Sequence, residues 1–351
     1  MITDIFNGFY YGMRVLVTGH TGFKGSWLSI WLHELGAEVV GVGLDPCSDR
    51  DNFVLSGIGE KIMADIRADI RDGARMKEIF AEYQPELVFH LAAQPLVRLS
   101  YEIPSATWQT NVMGTVHILE AIRTADSVRS GVMVTSDKCY ENKELPRGYR
   151  EDDPLGGYDP YSASKGACEI AIRSWRRSYR LNIASARAGN VIGGGDWAKD
   201  RLVPDCIRAM EAGRPIEIRN PEAVRPWQHV LEPLGGYLLL AKLMWEHPAA
   251  YCEAWNFGPE TGAVSTVWEM ASDLVRHLGK GELKDVSDPE ALHEAKLLSL
   301  DITKAKTQLG WVPRLTARQA VGLTAEWYKR YRTEDVYQLC VRQLDSYSRL
   351  F

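Results

Sequence analysis

Three glycines spaced three apart constrain this chain more than any other feature: Gly19, Gly22 and Gly25 in T-G-H-T-G-F-K-G. Before them, Arg14-Val15-Leu16-Val17-Thr18 reads as a buried strand. After them, Leu28, Trp31, Leu32 and Leu35 fall at i, i+3, i+4 and i+7 of an amphipathic helix that Gly36 closes. A turn of this kind lets backbone approach a pyrophosphate closely. It also aims free N–H groups and the positive end of the helix dipole at the phosphates. The spacing is G-x-x-G-x-x-G rather than G-x-G-x-x-G, and an ordinary strand-to-helix turn uses glycine too. Its place after the first strand favours a dinucleotide site, with Thr21, Phe23 and Lys24 beside the glycines.

Further β-branched runs alternate with helix-period segments: Glu38 to Val42, Leu87 to Leu91 and Gly131 to Thr135 read as later strands. This is the pattern of βαβ units around a parallel sheet. From about Gly193, prolines become frequent (Pro204, Pro215, Pro221, Pro226, Pro233) and elements are harder to phase. The predicted fold is α/β, a Rossmann-type doubly wound parallel sheet with a smaller, interleaved C-terminal substrate-binding lobe. Residues 13–188 and 226–254 are assigned to the NAD-binding domain, and 189–225 and 255–351 to the lobe.

Composition narrows the partners. A net charge of −5 without basic clusters argues against nucleic acid and membrane surfaces. The six cysteines form no C-x-x-C pair, which speaks against a disulfide framework or a metal site and fits a reducing cytoplasm. Residues 1–12 lack the basic start and apolar stretch of a signal peptide. The apolar stretch from Gly235 to Trp245 is too short to span a bilayer.

Asp45 follows the second strand, 20 positions beyond Gly25. A carboxylate there can bind both ribose hydroxyls and repels a 2′-phosphate, so NAD is expected over NADP, although Arg50 nearby keeps NADP open. Asp69-Ile70 could meet the adenine, or be an exposed acidic turn. Tyr161 and Lys165, four apart after Pro160, share one face of a helix. A phenol has an ordinary pKa of about 10, and a neighbouring ammonium and a cationic nicotinamide are expected to lower it so that Tyr161 serves as a base. Ser136-Asp137-Lys138 closes a strand at its carboxyl end, where ligands of open α/β sheets bind. Ser136 could share a substrate hydroxyl with Tyr161, whereas the bland alternative for Ser-Asp is a helix cap or Asx turn.

T-G-H-T-G-F-K-G, H-L-A-A-Q-P (His90 to Pro95), T-N-V-M-G-T (Thr110 to Thr115) and Y-S-A-S-K resemble motifs of the extended short-chain dehydrogenase/reductase superfamily. V-T-S-D-K-C-Y-E-N, A-R-A-G-N-V-I-G-G-G-D-W, R-P-W-Q-H-V and H-E-A-K-L-L-S-L-D are similar to its CDP-glucose 4,6-dehydratase family. The likeness runs from about Met13 to beyond Trp311. It implies conversion of CDP-D-glucose to CDP-4-dehydro-6-deoxy-D-glucose and water, for deoxysugar biosynthesis of the lipopolysaccharide O-antigen type. In such enzymes a hydride leaves C4, water is lost across C5 and C6, and the hydride returns to C6 from NAD.

By that resemblance, Tyr161 is the base at C4, Lys165 its partner, Ser136 the orienting hydroxyl and Asp137 the acid. Lys138 stands where the dTDP-glucose branch has glutamate, and is the candidate for assisting C5 deprotonation, the bland alternative being an ion pair with Asp137 or Glu141. Leu91, Ala92 and Ala93 are expected at the cofactor, and Gln94, Asn111, Asn190, Arg201, Arg219, Arg225, Asn256, His293 and Glu294 at the nucleotide sugar. A homodimer through helices flanking Tyr161, or a tetramer, is also implied. Two competing readings remain: a nucleotide-sugar 4-epimerase, which needs no acid for C6, and a non-catalytic dinucleotide sensor, which needs no intact Ser, Tyr and Lys set.

Overall fold

The structure, a computed structural model, describes residues 2, 5–260, 265–288 and 297–351. The strand runs and helix-period segments alternate along the first half as the sequence predicts. In chain order, β1 (Arg14–Thr18), α1 (Phe23–Glu34), β2 (Glu38–Gly43), α2 (Asn52–Ser56), β3 (Ala64–Arg67), α3 (Gly73–Tyr83) and β4 (Leu87–His90) come first. There follow α4 (Val97–Glu102), α5 (Pro104–Trp108), α6 (Gly114–Thr124), β5 (Ser130–Val134), α7 (Pro160–Tyr179) and β6 (Ile183–Ala188). Beyond them lie β7 (Val191–Ile192), α8 (Leu202–Glu211), β8 (Ile216–Ile218), β9 (Val224–Arg225), β10 (Gln228–His229), α9 (Leu231–Glu246) and α10 (Pro248–Tyr251). The chain closes with β11 (Ala254–Phe257), β12 (Ser265–Thr266), α11 (Val267–Leu278), β13 (Leu283–Asp285), α12 (Ala317–Arg330) and α13 (Val336–Ser348).

Seven strands form one parallel sheet in the order β11-β6-β5-β4-β1-β2-β3. The order is Rossmann-type, and its direction of winding reverses between β1 and β4. Alternate residues of β1 feed opposite faces. Val15 and Val17 join Trp27, Trp31, Leu231 and Trp255, whereas Leu16 joins Val40, Ile79, Ile118 and Ile172. Burying each such side chain contributes about 1.5–3 kcal/mol, so both faces hold the sheet to its helices.

The first helix departs from the amphipathic expectation. Gly25 to Leu32 of α1 are all buried, including Ser26 and Ser29, because α13, α2 and α9 cover its outer side. The hydroxyls are satisfied within the helix, Ser29 Oγ donating to Gly25 O at 2.8 Å and Ser26 Oγ to Phe23 O at 2.9 Å. Three short pairs, β7 with β10, β8 with β13 and β9 with β12, form the irregular part. β11 then rejoins the main sheet beside β6, so the two parts interleave. Among the described residues no helix is long and apolar enough to cross a membrane, and no cluster of His, Cys, Asp and Glu could hold a metal ion. All six cysteines are free.

Candidate active site

The glycine turn sits where the winding reverses. Gly19 has φ 74°, and a Cβ there would lie 2.8 Å from Ala92 N in the loop after β4. A Cβ on Gly25 would come within 2.0 Å of Gly19 O, so backbone packs on backbone at both positions. Thr18 ties the two loops together: its Oγ1 accepts from Leu91 N at 3.1 Å and Ala92 N at 3.2 Å, and bonds His90 Nδ1 at 2.7 Å. The N-cap of α1 is Gly22, which offers no side chain to the helix N–H groups, and no acidic residue occupies the first turn. That leaves the helix dipole free to act on an anion in front of it.

This turn opens on a cleft of about 1670 Å³. Its walls include Gly19, Thr21, Gly22, Phe23, Lys24, Gly25, Asp45, Asp69, Ile70, Leu91, Ala92 and Ala93. Ser136, Asp137, Lys138, Tyr161, Lys165, Asn190, Arg201, Arg219 and Arg225 line the same cavity. At the far end of β2, Asp45 pairs with Arg67 at 3.1 Å. Arg50, which kept a 2′-phosphate open, is committed elsewhere. It donates to Glu211 at 2.7 Å and Tyr331 at 2.7 Å and stacks on the Trp197 ring at 3.6 Å. Asp69 accepts from Arg71 N at 2.8 Å and Nε at 2.9 Å, and the Arg71 guanidinium holds its carboxyl below the usual range.

His20 escaped the sequence reading although it lies inside the glycine motif. Its ring is buried and bonds Asp65 at 2.7 Å, and burial lowers its pKa. A Cβ on Gly41 would lie 2.2 Å from His20 Cδ2. The signal was available: glycine inside a strand marks close approach, and E-V-V-G-V-G has two.

Tyr161 stands in the first turn of α7, where Asp159 caps the helix by accepting from Ser162 N at 2.9 Å. Burial pushes the phenol up to about 12, an effect that its hydrogen bond with Ser136 and the cation of Arg201 oppose. Lys165, expected with the nicotinamide to depress the phenol, is not among the groups that shift it in the protein alone. Lys165 is itself buried and lowered, and its Nζ points to Val134 O at 3.5 Å. Burial outweighs the neighbouring charge because both groups leave water. The Ser136 side chain acts on the phenol, and its Oγ donates to Asp137 Oδ1 at 3.0 Å. Asp137 is 2% exposed, and a Cβ on Gly189 would lie 2.0 Å from its Oδ2.

Lys24, on the first turn of α1, is pushed down to about 8 by burial and by the cations of Arg201 and Lys165. Arg201 is anchored at 2.8 Å by Asp196, a residue not singled out from the sequence although it belongs to G-G-G-D-W. Lys138 lines the cleft, and its backbone N donates to Ser136 Oγ at 3.2 Å. No ion pair to Asp137 or Glu141 is formed by Lys138 among the described residues. Arg219 lies 3.4 Å from Asp200, Arg225 donates to Val224 O at 2.9 Å, and Asn190 has φ 33°.

Three of the expected sugar contacts spend their side-chain amides within the protein. Asn256 is fully buried on β11: it accepts from Tyr140 OH at 2.7 Å and donates to Tyr149 O at 2.8 Å and Asp301 O at 3.1 Å. Its amide is used up in joining loops. Gln94 and Asn111 hold one another, Gln94 N donating to Asn111 Oδ1 at 2.8 Å and Asn111 Nδ2 to Gln94 O at 3.1 Å. They shape the loop that carries Ala92 and Ala93. His293 and Glu294 lie outside the described residues.

Comparison with known proteins places this geometry. Residues 16–324 match the family described as GDP-mannose 4,6 dehydratase. The CDP-glucose 4,6-dehydratase of Salmonella typhimurium is 46% identical over 349 residues, covering 97% of each chain. Among solved structures, an epimerase from Methanothermobacter thermautotrophicus superimposes with a TM-score of 0.81 at 26% identity, over 97% of this chain and 98% of that one. MoeE5, solved with UDP-glucuronic acid and NAD, gives 0.77 at 26% identity over 90% and 99%.

Proposed function

The chain belongs to the GDP-mannose 4,6 dehydratase family, and from that premise we propose that it converts CDP-D-glucose to CDP-4-dehydro-6-deoxy-D-glucose and water. The observation that carries elimination over epimerisation is the buried Asp137, an acid beside Ser136 and the Tyr161 phenol on one cleft wall. The cleft also suits NAD. The glycine cradle leaves no room for a Cβ, Asp45 offers a carboxylate for ribose hydroxyls, and the Arg50 guanidinium is paired with Glu211.

NAD, when bound, supplies an acceptor that takes a hydride from the sugar and gives it back. Tyr161 accepts the proton of the C4 hydroxyl, with Ser136 orienting that hydroxyl. Burial keeps the Tyr161 phenol protonated in the protein alone, the neighbouring Asp137 carboxylate adds to that, and the Ser136 side chain and the Arg201 cation work against it. Asp137 gives its proton to the departing C6 hydroxyl, so that water and not hydroxide leaves. Lys138, free of an ion pair with Asp137, assists removal of the C5 proton, and Arg201, Arg219 and Arg225, which line the same cleft, are the cations offered to the diphosphate. A guanidinium suits that task because it binds two oxygens at once.

The test is incubation of the NAD-loaded protein with the CDP-, dTDP-, GDP- and UDP-glucoses. A 4-keto-6-deoxy product from CDP-glucose, without NADH building up, is expected. A product still oxygenated at C6 would make the chain an epimerase.

A further inference from the structure

Behind the catalytic wall lies a buried ion pair that the reaction as described does not use. Glu169 follows Tyr161 by eight residues and Lys165 by four, on the same face of α7. Its side chain and that of Arg187 on β6 are each 3% exposed, and Arg187 Nη2 donates to Glu169 Oε2 at 2.7 Å. Ser185 Oγ donates to the same oxygen at 2.7 Å. The other oxygen, Oε1, accepts from Thr135 Oγ1 at 2.5 Å. From Arg187 the network runs on through Nη1 to Tyr140 OH at 2.7 Å and from that hydroxyl to Asn256.

Removing two charges from water is costly, and replacing such a pair by apolar residues is often neutral or stabilising. Its position suggests another task. Thr135 directly precedes Ser136 and Asp137, and Glu169 shares its helix with Tyr161 and Lys165. The Thr135 bond therefore joins the two segments whose side chains must meet.

We propose that Glu169 is a positioning residue for the reaction: through Thr135 it fixes the end of β5, and with it Ser136 and Asp137, against the α7 face that carries Tyr161 and Lys165. This rests on the reaction assigned above. Arg187 and Ser185 hold the carboxylate in place, and the negative charge of Glu169 also favours the ammonium of Lys165, which burial opposes.

Thr135→Val removes the linking hydroxyl while leaving the Glu169–Arg187 pair intact, and Thr135→Ser keeps it. For the valine variant, kcat with CDP-glucose should fall on the order of 10²-fold while KM stays within about two-fold. Amide hydrogen exchange across residues 136–139 should also quicken in the protein alone, and the serine variant should recover both. Native turnover in Thr135→Val, or equal impairment in Thr135→Ser, overturns the proposal. If the unmodified chain turns over no nucleotide sugar, the reaction assignment fails, and exchange still decides the positioning role. Quickened exchange confined to the valine variant upholds it, and unchanged exchange overturns it.

Discussion

A phenol pushed up to about 12 makes a poor base until positive charge gathers around it, and that is how Tyr161 sits in this protein. Tyr161→Phe removes one hydroxyl from a helix whose cap and packing do not depend on it. The variant should fold with an unchanged circular dichroism spectrum and lose about 10²–10⁴-fold in kcat. Near-native turnover would take Tyr161 out of the mechanism. Lys24 gives a second prediction, with a sign that can be worked out. Its ammonium, lowered from 10.5 to about 8, is charged below that pH and neutral above it. Calorimetric affinity for NAD should therefore weaken as pH rises through about 8, and Lys24→Met should flatten that dependence. Folding stability responds oppositely, because the unfolded chain binds the extra proton between those two values, so this group's contribution improves as pH rises from about 8 towards 10.5. A pH-independent affinity in the native protein would place the Lys24 ammonium away from the NAD diphosphate.

At the level of elements, the glycine turn makes the sharpest claim. A Cβ on Gly25 meets the Gly19 carbonyl at 2.0 Å, and backbone cannot swing aside as a flexible side chain can. Gly25→Ala should cost about 1–3 kcal/mol or more in urea denaturation and abolish NAD retention. Gly258→Ala, whose Cβ would meet only ordinary contacts at 3.6 Å and beyond, serves as the control and should stay near native. Equal stability of the two variants would show that the turn relaxes. The turn was legible because strand, glycine triplet and helix follow one another within 22 residues, from Arg14 to Leu35. Tyr161 and Lys165 were legible for the same reason: one helical spacing brings them together. Pairings set by the tertiary fold were not. Nothing in the order of residues says that β8 pairs with β13, that Glu169 meets Arg187, or that Asn256 spends its amide on Tyr140, Tyr149 and Asp301. Burial on β11 decides what Asn256 does.

Over the whole molecule, the cleft of about 1670 Å³ exceeds the roughly 300–1,000 Å³ that suits a single small ligand, which is what a dinucleotide and a nucleotide sugar held side by side require. The helices on one flank of that cleft carry an exposed apolar set: Tyr101 on α4, Trp108 on α5 and Ile170 on α7, with Ile103 and Met113 beside them, each 38–54% exposed. α4 and α5 both pack on α7, so these side chains belong to adjoining helices. A lone exposed apolar residue needs no explanation, but several on neighbouring helices mark an interaction surface. Our reading is that a second copy of the chain covers them about a twofold axis, in which case each residue meets a counterpart on the same patch. Trp108→Glu combined with Ile170→Glu would then place four like charges in the shared interface, two from each copy. In analytical ultracentrifugation the native chain should sediment at twice its 39.5 kDa mass and the double variant at the single mass, with an unchanged circular dichroism spectrum. Because α7 also carries Tyr161 and Lys165, the monomeric variant should lose turnover as well. A native chain that sediments as a monomer at micromolar concentration would leave this face to some other partner.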